Sequence, residues 1–324
     1  MRFYEFGNPG NPTIMCLPGN FMTHAELLVQ VLLRCLLRFG TLIDFCPMNF
    51  YERKHIMINI SRKGAISLEE KKTSVLYRII KWLVWFFYPK LEVVGTENLP
   101  DEASIIVGNH TQMNGPIAAE LYCPGKHYTW CAGQMMELKE VPDYAFQDFW
   151  SQKPKWTHPG YKLLSYIIAP LSVCVFNNAH TVGVYHDTRL IGTFKNTVKL
   201  LQEGNHVVIF PEHDVKYNHI VYDFQDRFID VAKLYYKKTG KQAAFVPLYI
   251  APNLKQMHFG IPTWFDPNAP IDQERQRIKD YLMDAITEIA EALPEHTVVP
   301  YRNIPKKYYP SNIPKEDTHA TPSN

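Results

Sequence analysis

Two apolar runs in this chain end in clusters of residues able to move a proton. The first, Ile105-Ile106-Val107-Gly108, leads into Asn109-His110-Thr111-Gln112-Met113-Asn114-Gly115-Pro116. A buried strand that ends in an imidazole, just before a helix, aims that imidazole into a cleft at the sheet edge, where histidine can serve as a general base. The same residues also fit a histidine held in a loop by local hydrogen bonds. The second run, Val207-Val208-Ile209-Phe210, leads into Pro211-Glu212-His213-Asp214. Carboxylates beside an apolar strand are costly without partners. They fit a binding site, a solvated loop or, third, a metal site; no metal ligand is assigned.

These clusters need a scaffold, and the pattern supplies one. Leu91-Glu92-Val93-Val94-Gly95, Ala103 to Val107, Val173 to Phe176, His206 to Phe210 and Phe245 to Ile250 read as strands. Pro116 to Tyr122 and Phe228 to Lys238 read as helices, the latter closed by Gly240. Leu190, Ile191, Phe194, Val198 and Leu201 fall at helical spacing, with Asp187 or Thr188 as N-cap and Gly204 past the end. Ile278, Leu282, Ile286, Ile289 and Leu293 mark a final amphipathic helix. Strands alternating with helices predict an α/β fold, a mostly parallel central sheet flanked by helices, with its site at strand C-terminal ends.

Taken together the clusters resemble those of the glycerol-phosphate and lysophosphatidic acid acyltransferases. That family carries N-H-x4-D in its first block and F-P-E-G-T-R in its third. Here Asn109-His110 stands for the first, and the run from Leu200 through Gly204 to Phe210-Pro211-Glu212 resembles the third with its preceding helix, glycine and apolar strand. Between them Glu137-Leu138-Lys139-Glu140-Val141-Pro142 resembles an E-L-x-x-I-P element, and Phe245-Val246-Pro247-Leu248-Tyr249-Ile250 a fourth, V-P-V strand. The order holds over residues 74–265, and blocks in order are more specific than any one alone.

The resemblance implies a fatty acyl transfer from acyl-CoA or acyl carrier protein to a lysophospholipid or related lipid hydroxyl, with no cofactor. It makes His110 the general base and gives Asn109, Pro211, Glu212 and His213 to the substrate, with Arg189, Lys216 and backbone N–H groups facing a phosphate. It departs at three places. The family's aspartate is here Gly115; its Gly-Thr-Arg is His213-Asp214-Val215; and its second-block arginine is missing after Val173 to Phe176, where Asn177-Asn178 follow and the next arginine is Arg189. An orienting acid matters: in the serine-protease template, Asp to Asn lowers turnover about 10⁴-fold. Asp214 is the first candidate to orient His110, and Asn114 the second. A binding protein of the same fold, impaired in catalysis, is the alternative.

The implied organisation is an N-terminal appendage and connector over 1–73, an acyltransferase-like domain over 74–304 and a flexible tail over 305–324. Residues 2–23 resemble the first strands of an α/β-hydrolase, with Pro18-Gly19 in place of an oxyanion loop. An α/β-hydrolase relative is thus the second alternative, but the chain holds no G-x-S-x-G elbow, so the nucleophile of that fold is missing.

A net charge of +2 gives no basis for a nucleic-acid partner. Six cysteines without a CxxC pair fit a reducing compartment. Met1 to Phe6 carries Glu5 and no apolar core follows at once, so no cleavable leader is expected. No uninterrupted run reaches the ~18–20 apolar residues of a spanning helix; Leu27 to Phe45 is broken by Arg34, Arg38 and Asp44. Val75 to Tyr88 joins Arg78 and Lys81 to Trp82, Trp85 and Phe86, as either an interfacial helix or a buried one whose cations reach out to water. With a lipid acceptor, this predicts a cytoplasmic protein held peripherally on the inner membrane face.

Overall fold

In the computed structural model, which describes residues 4–6, 13–15, 73–151, 153–302 and 304–314, the β-branched runs form the centre of one sheet. The chain divides into Met1–Ile43 and Asp44–Asn324. In the first unit β1 (Tyr4–Phe6) pairs antiparallel with β2 (Thr13–Met15), the two strands expected there. Pro18-Gly19, Leu27 to Phe45 and the connector up to residue 72 lie outside the described residues.

In the second unit the strands are β3 (Glu92–Val94), β4 (Ile105–Gly108), β5 (His127–Ala132), β6 (Thr181–Val184), β7 (His206–Ile209), β10 (Ala244–Ala251), β11 (Gln256–Phe259) and β12 (Thr263–Trp264). Their order is β3-β11-β10-β4-β7-β5-β6, with β12 added on β10. β10-β4-β7-β5-β6 are parallel throughout, and antiparallel pairing enters only where β10 meets β11 and β12. Between β7 and β10 a two-stranded ribbon, β8 (Glu212–Tyr217) and β9 (Tyr222–Phe224), stands apart from the sheet.

Alternate residues of the central strands feed two apolar layers, as the two-residue period of a strand requires. Ile105, Val107, Val207, Ile209 and Phe245 pack with Val198 and Leu201 of α5 (Leu190–Gln202), Val231 of α6 (Asp230–Thr239), and Ile278, Leu282 and Ile286 of α7 (Ile271–Ala292). Ile106, Val208, Val246, Leu248 and Ile250 face the other way, onto Ala118 and Ala119 of α2 (Asn114–Tyr122). Both faces are covered, so β4, β7 and β10 read as continuous apolar runs rather than alternating ones. Gly95 closes β3 at φ +76°, where a Cβ would lie 2.3 Å from the Phe259 carbonyl oxygen.

Val173 to Phe176 is not a strand. It forms the last turns of α4 (His158–Asn178), which follows the short α3 (Val141–Ala145) and is a helix of 21 residues with Pro170 inside it. The buried residues Ser165, Ala169 and Ser172 recur at four- and three-residue steps, a helical stripe that a four-residue β-branched window cannot show. The strand of this region is β6, just beyond, which pairs with β5. With its leading turn, Lys155–Asn178 is long and apolar enough to cross a membrane by length and composition, a feature that a search for unbroken apolar runs overlooks. Leu163, Tyr166 and Ile167 on this helix are exposed.

α1 (Val75–Phe87) shows the amphipathic surface placement expected of it. Tyr77, Ile80 and Leu83 are buried, while Trp82, Trp85 and Phe86 are 52%, 54% and 62% exposed. Lys81 Nζ reaches Glu120 at 2.6 Å, and the Tyr77 hydroxyl donates to the same carboxylate at 2.7 Å. α1 lies beside α4: the Ser74 N–H donates to the Asn178 side chain at 2.8 Å.

Of the segment 305–324 expected to be a flexible tail, the part up to Asn312 is anchored, and 315–324 lie outside the described residues. Asn312 is fully buried; its side chain accepts from the His296 N–H at 2.7 Å and donates to Ala290 O at 2.8 Å and Leu293 O at 3.2 Å, satisfying carbonyls that the end of α7 leaves open. Val298 N–H donates to Pro310 O at 2.8 Å. A buried asparagine with three such partners outweighs the Pro- and Lys-rich composition on which the expectation rested.

Candidate active site

The parallel register of β4 and β7, with Val107 opposite Ile209, brings the two polar clusters to adjacent strand ends. Phe210 and Pro211 turn the chain out of the sheet, and Glu212 opens β8 against it. The Glu212 carboxylate, 4% exposed, accepts from the main-chain N–H of His110 at 2.5 Å through Oε1, and from that of Tyr222 at 2.8 Å through Oε2. Burial pushes its pKa up to about 7 against the opposing pull of these two N–H donors. Glu212 therefore seats the backbone of the histidine loop.

Asn109 holds the other side of that loop. Its side-chain amide donates to Ile250 O at 3.0 Å and accepts from Ile250 N–H at 2.8 Å, tying the end of β4 to the end of β10. The amide is buried and both its oxygen and its nitrogen are engaged, so Asn109 positions the loop. Thr111 and Gln112 follow with φ of +43° and +57°, a left-handed pair of non-glycine residues. Such backbone persists only where surroundings enforce it, and it clusters at functional sites. Gly115 N–H donates to His110 O at 3.1 Å, closing the loop onto the start of α2.

The His110 ring lies edge-on to Phe210, with centroids 5.6 Å apart, and edge-on to Tyr301 at 5.4 Å. Nδ1 is buried and has no hydrogen-bond partner among the described residues. Burial pushes the imidazole pKa down to about 4, although the carbonyl oxygens of Gln112 and His110 itself favour a ring N–H. His110 is thus a neutral base at pH 7, with a weaker driving force for proton uptake than an ordinary histidine has.

The hydrogen bonds of the two expected orienters go elsewhere. The Asn114 side chain donates to Thr111 O at 3.0 Å. Asp214 accepts from Arg302 through Nε at 2.7 Å and Nη2 at 2.6 Å, and is half exposed. Asp214 is exposed although a regular strand would put it on the same face as the buried Glu212; the pairing of β8 with β9 is irregular here, and Asp214 meets a segment that returns from the C-terminus, far off in sequence. Nor can an aspartate take its familial place in this backbone. A Cβ on Gly115 would stand 2.5 Å from His110 O, 2.9 Å from Asn109 O and 3.0 Å from a Phe210 ring carbon.

The remaining candidates scatter. Arg189 follows the edge strand β6, three strand spacings or about 14 Å from β4 across the sheet. Its guanidinium pairs with Glu140 and Asp187, both at 2.8 Å, and stacks 3.9 Å over the Tyr185 ring. With two carboxylates on one guanidinium, this cluster offers a phosphate no net positive charge. His213 lies 3.5 Å from Asp223, which Lys279 also approaches at 3.3 Å. Lys216 is exposed on β8. Pro211 is buried, and its carbonyl accepts from Gln225 N–H at 2.9 Å. Tyr301, Arg302, Tyr222 and Gln112 are at the site and were not singled out from the sequence. Gln112 donates to Arg302 O at 3.2 Å and to the Tyr309 hydroxyl at 3.1 Å. Gln112 is near by sequence, in the histidine loop; nothing local marks Tyr222, Tyr301 or Arg302, which the fold alone brings here.

No protein-family profile matches the chain, and no curated protein matches it in sequence. Among solved structures, one that it is similar to is the 1-acyl-sn-glycerophosphate (LPA) acyltransferase PlsC from Thermotoga maritima, at 16% identity and a TM-score of 0.38, over 68% of this chain and 78% of that one.

Gly115→Asp should lower the unfolding free energy by about 1–3 kcal/mol, the usual cost of overpacking, because the new Cβ meets main-chain oxygens. Gly192→Ala, in α5 with nothing within 4 Å of the new methyl, should be neutral or stabilising. Urea denaturation of both variants checks this. An unchanged midpoint for Gly115→Asp would mean that the loop has room for an acid.

Proposed function

We propose that the protein transfers a fatty acyl group from an acyl-CoA or acyl carrier protein thioester to a lysophospholipid or related lipid hydroxyl, with His110 as the general base. The observation that carries this reading is the meeting of His110 and Glu212 at adjacent parallel strand ends, joined by a hydrogen bond, in the block order of the acyltransferase resemblance.

In this reading the acceptor oxygen attacks the thioester carbonyl while the imidazole takes its proton through Nε2, the nitrogen opposite the closed-in Nδ1. The carbon–sulfur bond then breaks, and the imidazolium returns the proton to the leaving thiolate. Burial keeps His110 neutral and ready, while Asn109 and Glu212 fix the backbone that carries it.

A membrane surface is the proposed source of the acceptor, on the cytoplasmic side. The exposed Trp and Phe side chains of α1 support this, and so does the place where that helix ends. The Tyr88 hydroxyl, just past α1, donates to Asn114 O at 3.3 Å in the histidine loop, so a lipid gathered at α1 has a short path to His110. Flotation on anionic liposomes should retain the wild-type protein and release a variant carrying Trp82→Ser and Trp85→Ser. Equal free fractions for the two would remove α1 from the membrane contact.

A second reading, a lipid-binding protein impaired in catalysis, is favoured by one observation: the buried Nδ1 lacks the acid that a strong base would have. A panel of acyl thioesters and lysolipid acceptors separates the two. Under the first reading ester forms, thiol is released, and His110→Ala lowers the rate about 10²–10⁴-fold. Lipid binding without any ester, or transfer that His110→Ala leaves unchanged, would replace the first reading by the second.

A further inference from the structure

Beyond α7 the chain makes a closed return. Asn312 and His296 bond to each other through main chain and side chain at 2.7 and 3.0 Å, and the Tyr249 hydroxyl meets His296 Nε2 at 2.8 Å. From this base the chain runs out to the site, where it presents Tyr301 and Arg302. The Tyr301 ring stands at 77° to the His110 ring and 6.0 Å from that of Tyr222. Arg302 makes its ion pair with Asp214, and its carbonyl takes the Gln112 amide.

We propose that Tyr301 is a positioning residue for His110, held over the imidazole by the Arg302–Asp214 ion pair. This rests on the reading of His110 as the base. An imidazole without an acid on Nδ1 lacks the strong, directional bond that would fix its rotation, and a ring less firmly held presents its basic nitrogen only part of the time. Phe210 and Tyr301, both at steep angles to the imidazole, restrict that rotation by contact and shield the ring from water. The ion pair is half exposed, so its role is to hold a short segment already anchored at its base rather than to stabilise the whole fold. Asp214 thereby acts on His110 through the return segment.

The titratable groups around the imidazole come from several elements. Glu212 bonds its main chain, Tyr301 lies against the ring, and Tyr222 packs behind Tyr301. Asp214 is neutralised by Arg302, while Asp148 acts on Tyr301. Burial and the nearby carboxylates push the Tyr301 phenol up, so it stays protonated at neutral pH and adds no charge. Its contribution is its ring, and phenylalanine should replace it.

The test is a histidine-labelled NMR titration of the full chain, with the His110 signal assigned by its loss in His110→Ala. In wild type and Tyr301→Phe the signal should stay that of neutral imidazole to below pH 5. In Tyr301→Ala, and in Arg302→Gln, its midpoint should move up towards 6.5 as water reaches the ring. Tyr301→Leu serves if the alanine variant does not fold. Acyl transfer should show lower kcat with little change in KM for Tyr301→Ala, and recovery in Tyr301→Phe. A His110 titration unchanged in folded Tyr301→Ala and Tyr301→Leu overturns the proposal. A shifted midpoint with no transfer by any form, wild type included, would uphold the positioning and sink the acyltransferase reading instead.

Discussion

The site is organised around one buried carboxylate. Glu212 lies among apolar strand ends, where an ionised group is costly unless it is fully hydrogen-bonded. Its partners are main-chain N–H groups from two different parts of the chain, His110 and Tyr222. One oxygen holds the end of β4, and the other holds β9 against β8. A side chain acting on backbone sets where the histidine Cα stands, and so what its ring can reach. Removing the carboxylate leaves two buried donors without acceptors, so this position tolerates little change.

From that anchor the crowding of the loop follows. Asn109 fastens the neighbouring peptide to β10, and the left-handed turn at Thr111 and Gln112 folds the loop back so that Gly115 lies on the His110 and Asn109 carbonyl oxygens. The space where an acid would orient the imidazole is filled by main chain. Aromatic rings enclose the imidazole instead. This exchanges electrostatic help for steric restraint, and the depressed basicity of His110 is its consequence. A neutral, weakly basic imidazole is available over a wide pH range but pulls less strongly on a hydroxyl proton.

The sheet was legible because its central strands are apolar on both faces; runs such as Ile105 to Val107 and Val207 to Ile209 admit few other placements. The adjacency of His110 and Glu212 was legible for the same reason, since parallel neighbours bring their ends together. Val173 to Phe176 misled because β-branched residues fit both a buried strand and a long helix, and only the wider Ser165, Ala169, Ser172 spacing separates them. Arg189 and Asp214 were legible as charges but not as pairs. Asp187 lies beside Arg189, but the arginine's other partner Glu140 is 49 residues away and Arg302 is 88 from Asp214, and no local pattern encodes such contacts. Tyr301 was hidden by its Pro-rich setting, whose order comes from Asn312 and its three carbonyl and amide partners.

The central claim is that Glu212 is a buried, ionisable support for the histidine loop. Its folded pKa, about 7, is raised above an ordinary carboxylate's. It therefore contributes stability that is fully present below about pH 4.5 and is lost as pH rises through about 7. Unfolding free energies of wild type and Glu212→Gln, measured between pH 5 and 8, isolate this group because every other titration is common to both. Wild type should lose about 2.5 kcal/mol relative to the variant across that window, most of what a shift of this order implies. A difference between the two proteins that does not change with pH would contradict the account, for it would place the Glu212 carboxylate in water.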